Sequence, residues 1–236
     1  SRGLGRAMAL ALAEAGADVA VAARSTAEID ETAHQVEKLG RRALAVRTDV
    51  AEYAQVEALV ARTIGGLGGL HIVVNNSGIA GVRPVLEMPP EEFVRTIQVN
   101  LVGVFNGCRA AAAQLTGQMS GKVINMASVM ATAGLAGYTS YAASKGGVIA
   151  FTKCLAVEWA RYDVQVNAIA PGWFVTDMNA EAFADPKVRD RLLRDVPMRR
   201  TGELSEIGPL AVYLASSASS YMTGQTIFLD GGHTAG

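Results

Sequence analysis

The chain has 236 residues, half of them hydrophobic and 18% charged, with 25 glycines and a net charge of −1. It is too apolar for a disordered chain and, at about 11% glycine against a usual ~7%, too glycine-rich for a helical bundle. No basic field exists to hold nucleic acid or an anionic membrane. No run approaches the ~18 apolar residues of a membrane span, and Ser1 to Arg6 lacks the layout of a signal peptide, so a cytoplasmic protein is expected.

In chain order, helix and strand signals alternate. A helix over Arg6 to Gly16 precedes a strand over Asp18 to Ala23. Helix Thr26 to Leu39 precedes strand Ala43 to Val46, and helix Val56 to Ile64 precedes Leu70 to Asn75. One long helical stretch from Pro90 to Leu115 leads into strand Lys122 to Met126, and a second from Ser140 to Arg161 leads into Val164 to Ile169. The strands lack polar alternation, which means cover on both faces: a doubly wound α/β domain with a parallel sheet in a three-layer αβα arrangement. One domain, 1–236, is the economical count. Residues 176–201 carry no strand signal, contain Pro186 and Pro197, and read as an excursion that covers a ligand. The two cysteines, Cys108 and Cys154, have no CxxC spacing and are expected as buried free thiols, and the three scattered histidines form no metal site.

Ser1-Arg2-Gly3-Leu4-Gly5-Arg6 runs straight into a helix, where glycines let backbone amides approach a pyrophosphate and the helix N-terminus favours an anion. A Gly-x-Gly before a helix is also an ordinary turn. After the first strand, Arg24 stands where an acidic residue usually binds the 2′-hydroxyl of NAD. Arg24 and Arg2 suit the 2′-phosphate of NADP, with NAD as the alternative, unless both are merely solvated. Tyr141 and Lys145 are four residues apart on one helix face, and a cation there is expected to lower the phenol pKa. Ser128 follows a strand at its carboxyl end, where open α/β sheets bind ligands.

Taken together these features resemble the short-chain dehydrogenase/reductase family, over essentially the whole chain. Gly3-Leu4-Gly5 is similar to the last two glycines of the family's TGxxxGxG loop, Asp49-Val50 to its acidic pair beside the adenine, and Asn75-Asn76-Ser77-Gly78 to its NNAG segment. Asn100 falls at its helix asparagine, Ser128, Tyr141 and Lys145 at its serine and YxxxK, Pro171-Gly172 at its PG turn, and Asp230-Gly231-Gly232 at the close of its last strand.

The resemblance implies a Rossmann fold and a proton exchange between Tyr141 and the substrate oxygen while the nicotinamide exchanges a hydride with the carbon. Ser128 orients that oxygen, Lys145 binds the ribose, and Asn100 helps hold a water joined to Lys145. Cofactor contacts are expected from Ser1, Arg2, Gly3, Leu4, Gly5, Arg24, Asp49, Val50, Asn76, Gly78, Tyr141, Lys145, Pro171, Gly172, Phe174 and Thr176. Asn75 is read as a tie between strands, and Tyr138, with Ala142 four residues on, as a decoy. The family's strand and first glycine ahead of Gly3 are not in the chain, so a further strand before Ser1 is expected. A small carbonyl or alcohol substrate is expected, a sugar acid or polyol as in gluconate 5-dehydrogenase-like enzymes. The alternatives are a 3-oxoacyl-carrier-protein reductase, disfavoured by the lack of cations from Leu115 to Ser120, and an idle NADP-binding sensor. A homotetramer is implied, with Val148, Ile149, Phe151 and Leu155 suiting either an interface or the core.

Overall fold

The alternation of apolar runs and amphipathic stretches becomes an alternation of strands and helices in the computed structural model, which describes residues 1–235. The elements are α1 (Gly3–Glu14), β1 (Val19–Ala23), α2 (Thr26–Lys38), β2 (Ala43–Arg47), α3 (Tyr53–Leu67), β3 (Ile72–Asn75), α4 (Pro90–Ile97), α5 (Gly103–Gly117) and β4 (Gly121–Met126). They continue with α6 (Thr139–Trp159), β5 (Val164–Pro171), α7 (Ala180–Ala184), α8 (Pro186–Leu193), α9 (Ile207–Ala215) and β6 (Thr226–Leu229). Helix α2 shows why such segments form. Ile29, Ala33 and Val36 repeat at helical spacing and are buried as one stripe, while Glu28 and Lys38 complement the dipole at its two ends.

Every strand pairing is parallel. β1 pairs with β2, and β3-β4-β5-β6 form a second, four-stranded sheet in that order. All eight residues of β5 are buried, as a strand with helices on both faces requires. Its alternate residues divide the core: Val164, Val166, Ala168 and Ala170 face α5 and α6, and Ile169 joins Met8 of α1 and Ile207 and Leu214 of α9 on the other face. Among the described residues no strand is hydrogen-bonded between β1 and β3. All of β1 and all of β3 line one cavity of about 1140 Å³, which reaches the carboxyl ends of the strands.

One expectation, that of Cys154, is corrected and two others are sharpened. The stretch from Pro90 to Leu115 is helical throughout, as read from the sequence, with a π-helical segment over Gln98–Val102 inserted between α4 and α5, in which Asn100 is fully buried. Cys108 is buried but Cys154 is exposed. Val148 and Leu155 belong to the core beneath α6, whereas Phe105 and Phe151 meet edge-on beside it and Phe105 is exposed. No helix of the described residues is long and apolar enough to cross a membrane.

The excursion after β5 has a defined neck. Phe174 bridges Gly202, and the Gly202 amide donates to the Trp173 carbonyl at 2.8 Å, so residues 176–201 leave and return at one point. Within the excursion, Asp185 caps α8 by accepting from the Lys187 amide at 2.8 Å, with Pro186 in the first helical turn.

Candidate active site

The predicted residues converge. Ser1, Arg2, Gly3, Leu4, Gly5, Arg24, Asp49, Val50, Asn76, Gly78, Ser128, Tyr141, Lys145, Pro171, Gly172, Phe174 and Thr176 all line the one cavity, and of the predicted set only Asn100 lies behind its wall. Two glycines mark close approach between chain segments. A Cβ on Gly5 would stand 2.5 Å from Asn76 Nδ2, so a larger residue there would have to displace the Asn76 side chain. A Cβ on Gly172 would stand 2.7 Å from Asp230 Cα, which joins the end of β5 to the turn after β6. The amides of the first turn of α1 have no intrahelical acceptors and border the cavity, an arrangement suited to an anion.

Charge around this end is unevenly committed. Arg2 pairs with Glu28 at 3.2 Å and Asp177 at 3.1 Å, tying the glycine loop both to α2 and to the start of the excursion. Arg24 is exposed and, among the described residues, has no ion-pair partner. Asp49 accepts from the Ala51 amide at 3.0 Å and pairs with Arg95 at 3.4 Å. Burial pushes its carboxyl up, but the Ala51 amide, Arg95 and Arg24 together hold it below the ordinary carboxylate range.

At the other end of the cavity, Ser128 follows β4, and Tyr141 and Lys145 occupy the first and second turns of α6. The Lys145 ammonium is buried and donates to the Met126 carbonyl at 2.6 Å. Burial lowers its pKa to about 8. Burial also raises the Tyr141 phenol above its usual value; the adjacent Ser128 hydroxyl draws it down and Tyr138 pushes it further up. The expected lowering by Lys145 is therefore not what the structure shows. Nζ is 5.7 Å from the Tyr141 ring centroid and is held on a main-chain carbonyl.

The cost of burying that ammonium is measurable. The interval from 10.5 to about 8 corresponds to about 3 kcal/mol of preference for the neutral amine. Because the folded pKa is the lower one, the unfolded chain binds the extra proton between those values. The penalty is thus complete below pH 8 and fades as pH rises towards 10.5. Lys145→Met is expected to exceed the wild type in stability at pH 7 by on the order of 1–3 kcal/mol, since it also leaves the Met126 carbonyl unpaired. Urea denaturation at pH 7 and pH 10 should show the gap closing; a constant gap would refute the depressed pKa.

Asn100 acts through its neighbours. Its Nδ2 donates to the Ile79 carbonyl at 2.9 Å and to Ser144 Oγ at 3.0 Å, and its Oδ1 accepts from the Ile79 amide at 2.8 Å. With both N–H groups engaged and the oxygen accepting from Ile79, the side chain fixes the loop after β3 against α6. Asn75 ties strands as expected, donating to Asn125 Oδ1 at 2.9 Å and to Cys108 Sγ at 3.4 Å. Burial pushes the Cys108 thiol up to about 12, which leaves it inert. Thr176 and Phe174 are held by Asn179, whose Oδ1 accepts from the Thr176 amide at 2.8 Å and whose Nδ2 donates to the Phe174 carbonyl at 2.9 Å.

Tyr138, which has no lysine four residues on, is nevertheless part of the cavity wall, and Trp173 was not singled out by sequence. Tyr138 lines the cavity and meets Tyr141 edge-on at 6.2 Å between centroids and Trp173 at 6.5 Å. Trp173 in turn packs on Phe183 of α7 at 5.8 Å. An aromatic wall thus begins at the reacting phenol. The only sequence signal for it was the density of aromatic residues on either side of the recognised motifs.

Comparison with known proteins agrees with this geometry. A family model described as enoyl-(acyl carrier protein) reductase matches residues 1–234. The 3beta-hydroxysteroid dehydrogenase 1 of Eggerthella lenta is 43% identical over 236 residues, covering 99% of this chain and 90% of that protein. A 3-oxoacyl-[acyl-carrier-protein] reductase of Staphylococcus aureus is 37% identical over 233 residues, covering 98% and 94%. Among solved structures, a gluconate 5-dehydrogenase from Burkholderia cenocepacia in complex with NADP and tartrate superposes with a TM-score of 0.95 at 37% identity, covering 100% of this chain and 92% of that one. The serine, tyrosine and lysine at one end of a cavity that begins at a glycine-lined helix N-terminus belong with these relatives: the chain is a member of the short-chain dehydrogenase/reductase family, NAD(P)-dependent oxidoreductases acting on CH–OH groups.

Proposed function

We propose that the protein interconverts a secondary alcohol and a ketone, with Tyr141 exchanging the proton and NADP preferred over NAD. The observation that carries this reading is the placement of Ser128, Tyr141 and Lys145 at the far end of the cavity that holds the glycine loop and Arg24. The cavity suits a dinucleotide: unpaired first-turn amides for the pyrophosphate, Arg24 without a carboxylate partner for a 2′-phosphate, and Asp49-Val50 alongside for the adenine. When bound, the nicotinamide supplies or accepts the hydride. Ser128 Oγ, which accepts from the Met130 amide at 3.2 Å, keeps its own O–H to orient the substrate oxygen. Tyr141, held neutral by burial, donates a proton to a ketone oxygen as it becomes an alkoxide. Lys145 binds the nicotinamide ribose and supplies positive charge beneath the phenol. Residues 176–201 cover the site, since Thr176, Asp177, Met178 and Asn179 line the cavity.

The wall favours an apolar, ring-bearing substrate over the sugar acid or polyol expected from sequence. Val82, Met130, Tyr138, Trp173 and Met178 line the reacting end. A sugar acid needs a cation for its carboxylate and paired groups for its hydroxyls. Among the described lining residues the basic side chains are Arg2, Arg24, Arg42, His71 and Lys145. Arg42 and His71 lie at the amino ends of β2 and β3, Arg2 and Arg24 serve the cofactor end, and Lys145 is assigned to the nicotinamide ribose.

One observation favours a second reading, a 3-oxoacyl thioester on an acidic carrier protein. Lys187, Arg191 and Arg194 in and after α8 have no carboxylate partner among the described residues, and they supply the basic surface that Leu115 to Ser120 lacks. A homotetramer, with the exposed Phe105 and Val157 of α5 and α6 in its interface, and a cytoplasmic location suited to two unpaired cysteines complete the proposal.

Cofactor-oxidation kinetics over trans-decalone, 5-ketogluconate and an acetoacetyl thioester test it. At least about tenfold higher kcat/KM for the bicyclic ketone is expected. Preference for 5-ketogluconate would restore the sugar-acid reading, preference for the thioester would select the carrier-protein reading, and inertness with bound NADPH would mark a sensor.

A further inference from the structure

The turn that opens the excursion meets both halves of the site, and one side chain fastens it. On the cofactor side, Thr176 rests on the glycine loop: a Cβ added to Gly3 would stand 3.2 Å from its methyl carbon. Asp177, the next residue, pairs with Arg2 of the same loop at 3.1 Å. The first-turn amides of α1 border the cavity there, so a dinucleotide running from them to Tyr141 passes Thr176. On the substrate side, the turn runs into α7, whose Phe183 packs on Trp173 at 5.8 Å and forms the outer part of the aromatic wall. Phe174, buried next to Trp173, is bridged to Gly202 at the neck.

Asn179 stands at the junction of these parts. Its Oδ1 accepts from the Thr176 amide at 2.8 Å, and its Nδ2 donates to the Phe174 carbonyl at 2.9 Å. Its main-chain carbonyl accepts from the Phe183 amide at 3.1 Å, and its own amide donates to the Thr176 carbonyl at 3.0 Å. Among the described residues no other side chain hydrogen-bonds to the main chain between residues 174 and 183. The turn thus has one side-chain brace, and that brace touches the cofactor-facing residue, the neck and the start of α7. A ligand that fixes Thr176 then bears part of the cost of ordering α7, and a second ligand on the wall binds more tightly for it.

We propose that Asn179 is a positioning residue that couples the two halves of the site: with a dinucleotide against Thr176, its side chain holds α7, and with it the Phe183 and Trp173 pair, in place for the ketone. This rests on the reading of the cavity as a site for a dinucleotide and a ketone, and it goes beyond that reading by assigning the link between the two ligands to one side chain outside the reacting set. Asn179 exchanges no proton and acts only through Thr176, Phe174 and α7.

Isothermal titration of trans-decalone into the NADP+-bound and the cofactor-free protein tests this, and neither titration needs turnover. The wild type is expected to bind the ketone about tenfold more tightly with NADP+ in place, and by linkage decalone tightens NADP+ by the same factor. In Asn179→Ala both side-chain bonds are lost, and the ratio is expected to fall to about two or less. Asn179→Asp keeps the acceptor for Thr176 and loses the donor for Phe174, so its ratio should lie between those of Asn179→Ala and the wild type. A brace with a merely structural role would weaken decalone binding by one factor in both titrations and leave the ratio unchanged. A ratio in N179A equal to that of the wild type, or a wild type without coupling, overturns the proposal. Coupling that depends on Asn179 without ketone reduction supports it and places the fault in the chemistry assigned to Tyr141. Ketone reduction with coupling indifferent to Asn179 overturns it and leaves that chemistry standing.

Discussion

Replacing Tyr141 by phenylalanine is expected to lower kcat by at least about 10³-fold while NADPH affinity stays within about twofold, because the change deletes a proton donor and little else. The ring is buried against Tyr138, so phenylalanine preserves the packing. The hydroxyl is not among the hydrogen bonds that hold the fold, whereas Ser128 caps the turn after β4 through the Met130 amide and Lys145 holds the Met126 carbonyl. The loss should therefore appear in kcat with unchanged thermal stability. The direction of the Tyr141 pKa adds a second signature. With the phenol held neutral by burial, ketone reduction is served at neutral pH by the form that donates, and alcohol oxidation should gain as pH rises and the phenolate forms. Cofactor-oxidation assays and fluorescence titration with NADPH measure the two quantities. Turnover within about tenfold of wild type would remove Tyr141 from the role assigned to it.

The parts of this molecule that were legible in the sequence are those written in local pattern. β5 could be read because every residue from Val164 to Pro171 is buried, which favours an apolar run, broken here only by Gln165 and Asn167. The Tyr141 and Lys145 pair could be read because four residues on a helix define a shared face. The π-helical segment between α4 and α5 could not, since the contacts made from it are long-range. Asn100 turns inward to bond Ile79, 21 residues earlier, and Ser144, 44 residues later, and no local window contains those partners. Trp173 and Phe183 were missed for the same reason: the wall exists only once the excursion folds back at Gly202. The electrostatics of Lys145 ran against the sequence reading because spacing places a cation near a phenol but says nothing of the Met126 carbonyl that holds it.

Arg24→Asp is expected to shift the ratio of kcat/KM with NADP to kcat/KM with NAD by about 10²-fold towards NAD, and Arg2→Ala by only about fivefold or less. From the sequence the two arginines looked equivalent. In the structure they differ in what they already hold. Arg2 is shared between Glu28 and Asp177, and both pairs are solvent-exposed, so a 2′-phosphate must compete with carboxylates already in place and gains little net charge attraction. Arg24 has no carboxylate partner among the described residues and follows β1 directly, at the end of the strand after the glycine-loop helix, from which a residue reaches the adenosine ribose. A dianionic phosphate on an uncommitted guanidinium forms charge-assisted, paired hydrogen bonds, whereas an aspartate there repels it and accepts from the two hydroxyls of NAD. The shift should lie mainly in KM for NADP, and it should shrink as ionic strength rises, because the site is open to solvent. Steady-state kinetics with both cofactors at two salt concentrations would check this, and a ratio more sensitive to Arg2 than to Arg24 would reverse the assignment of the phosphate site.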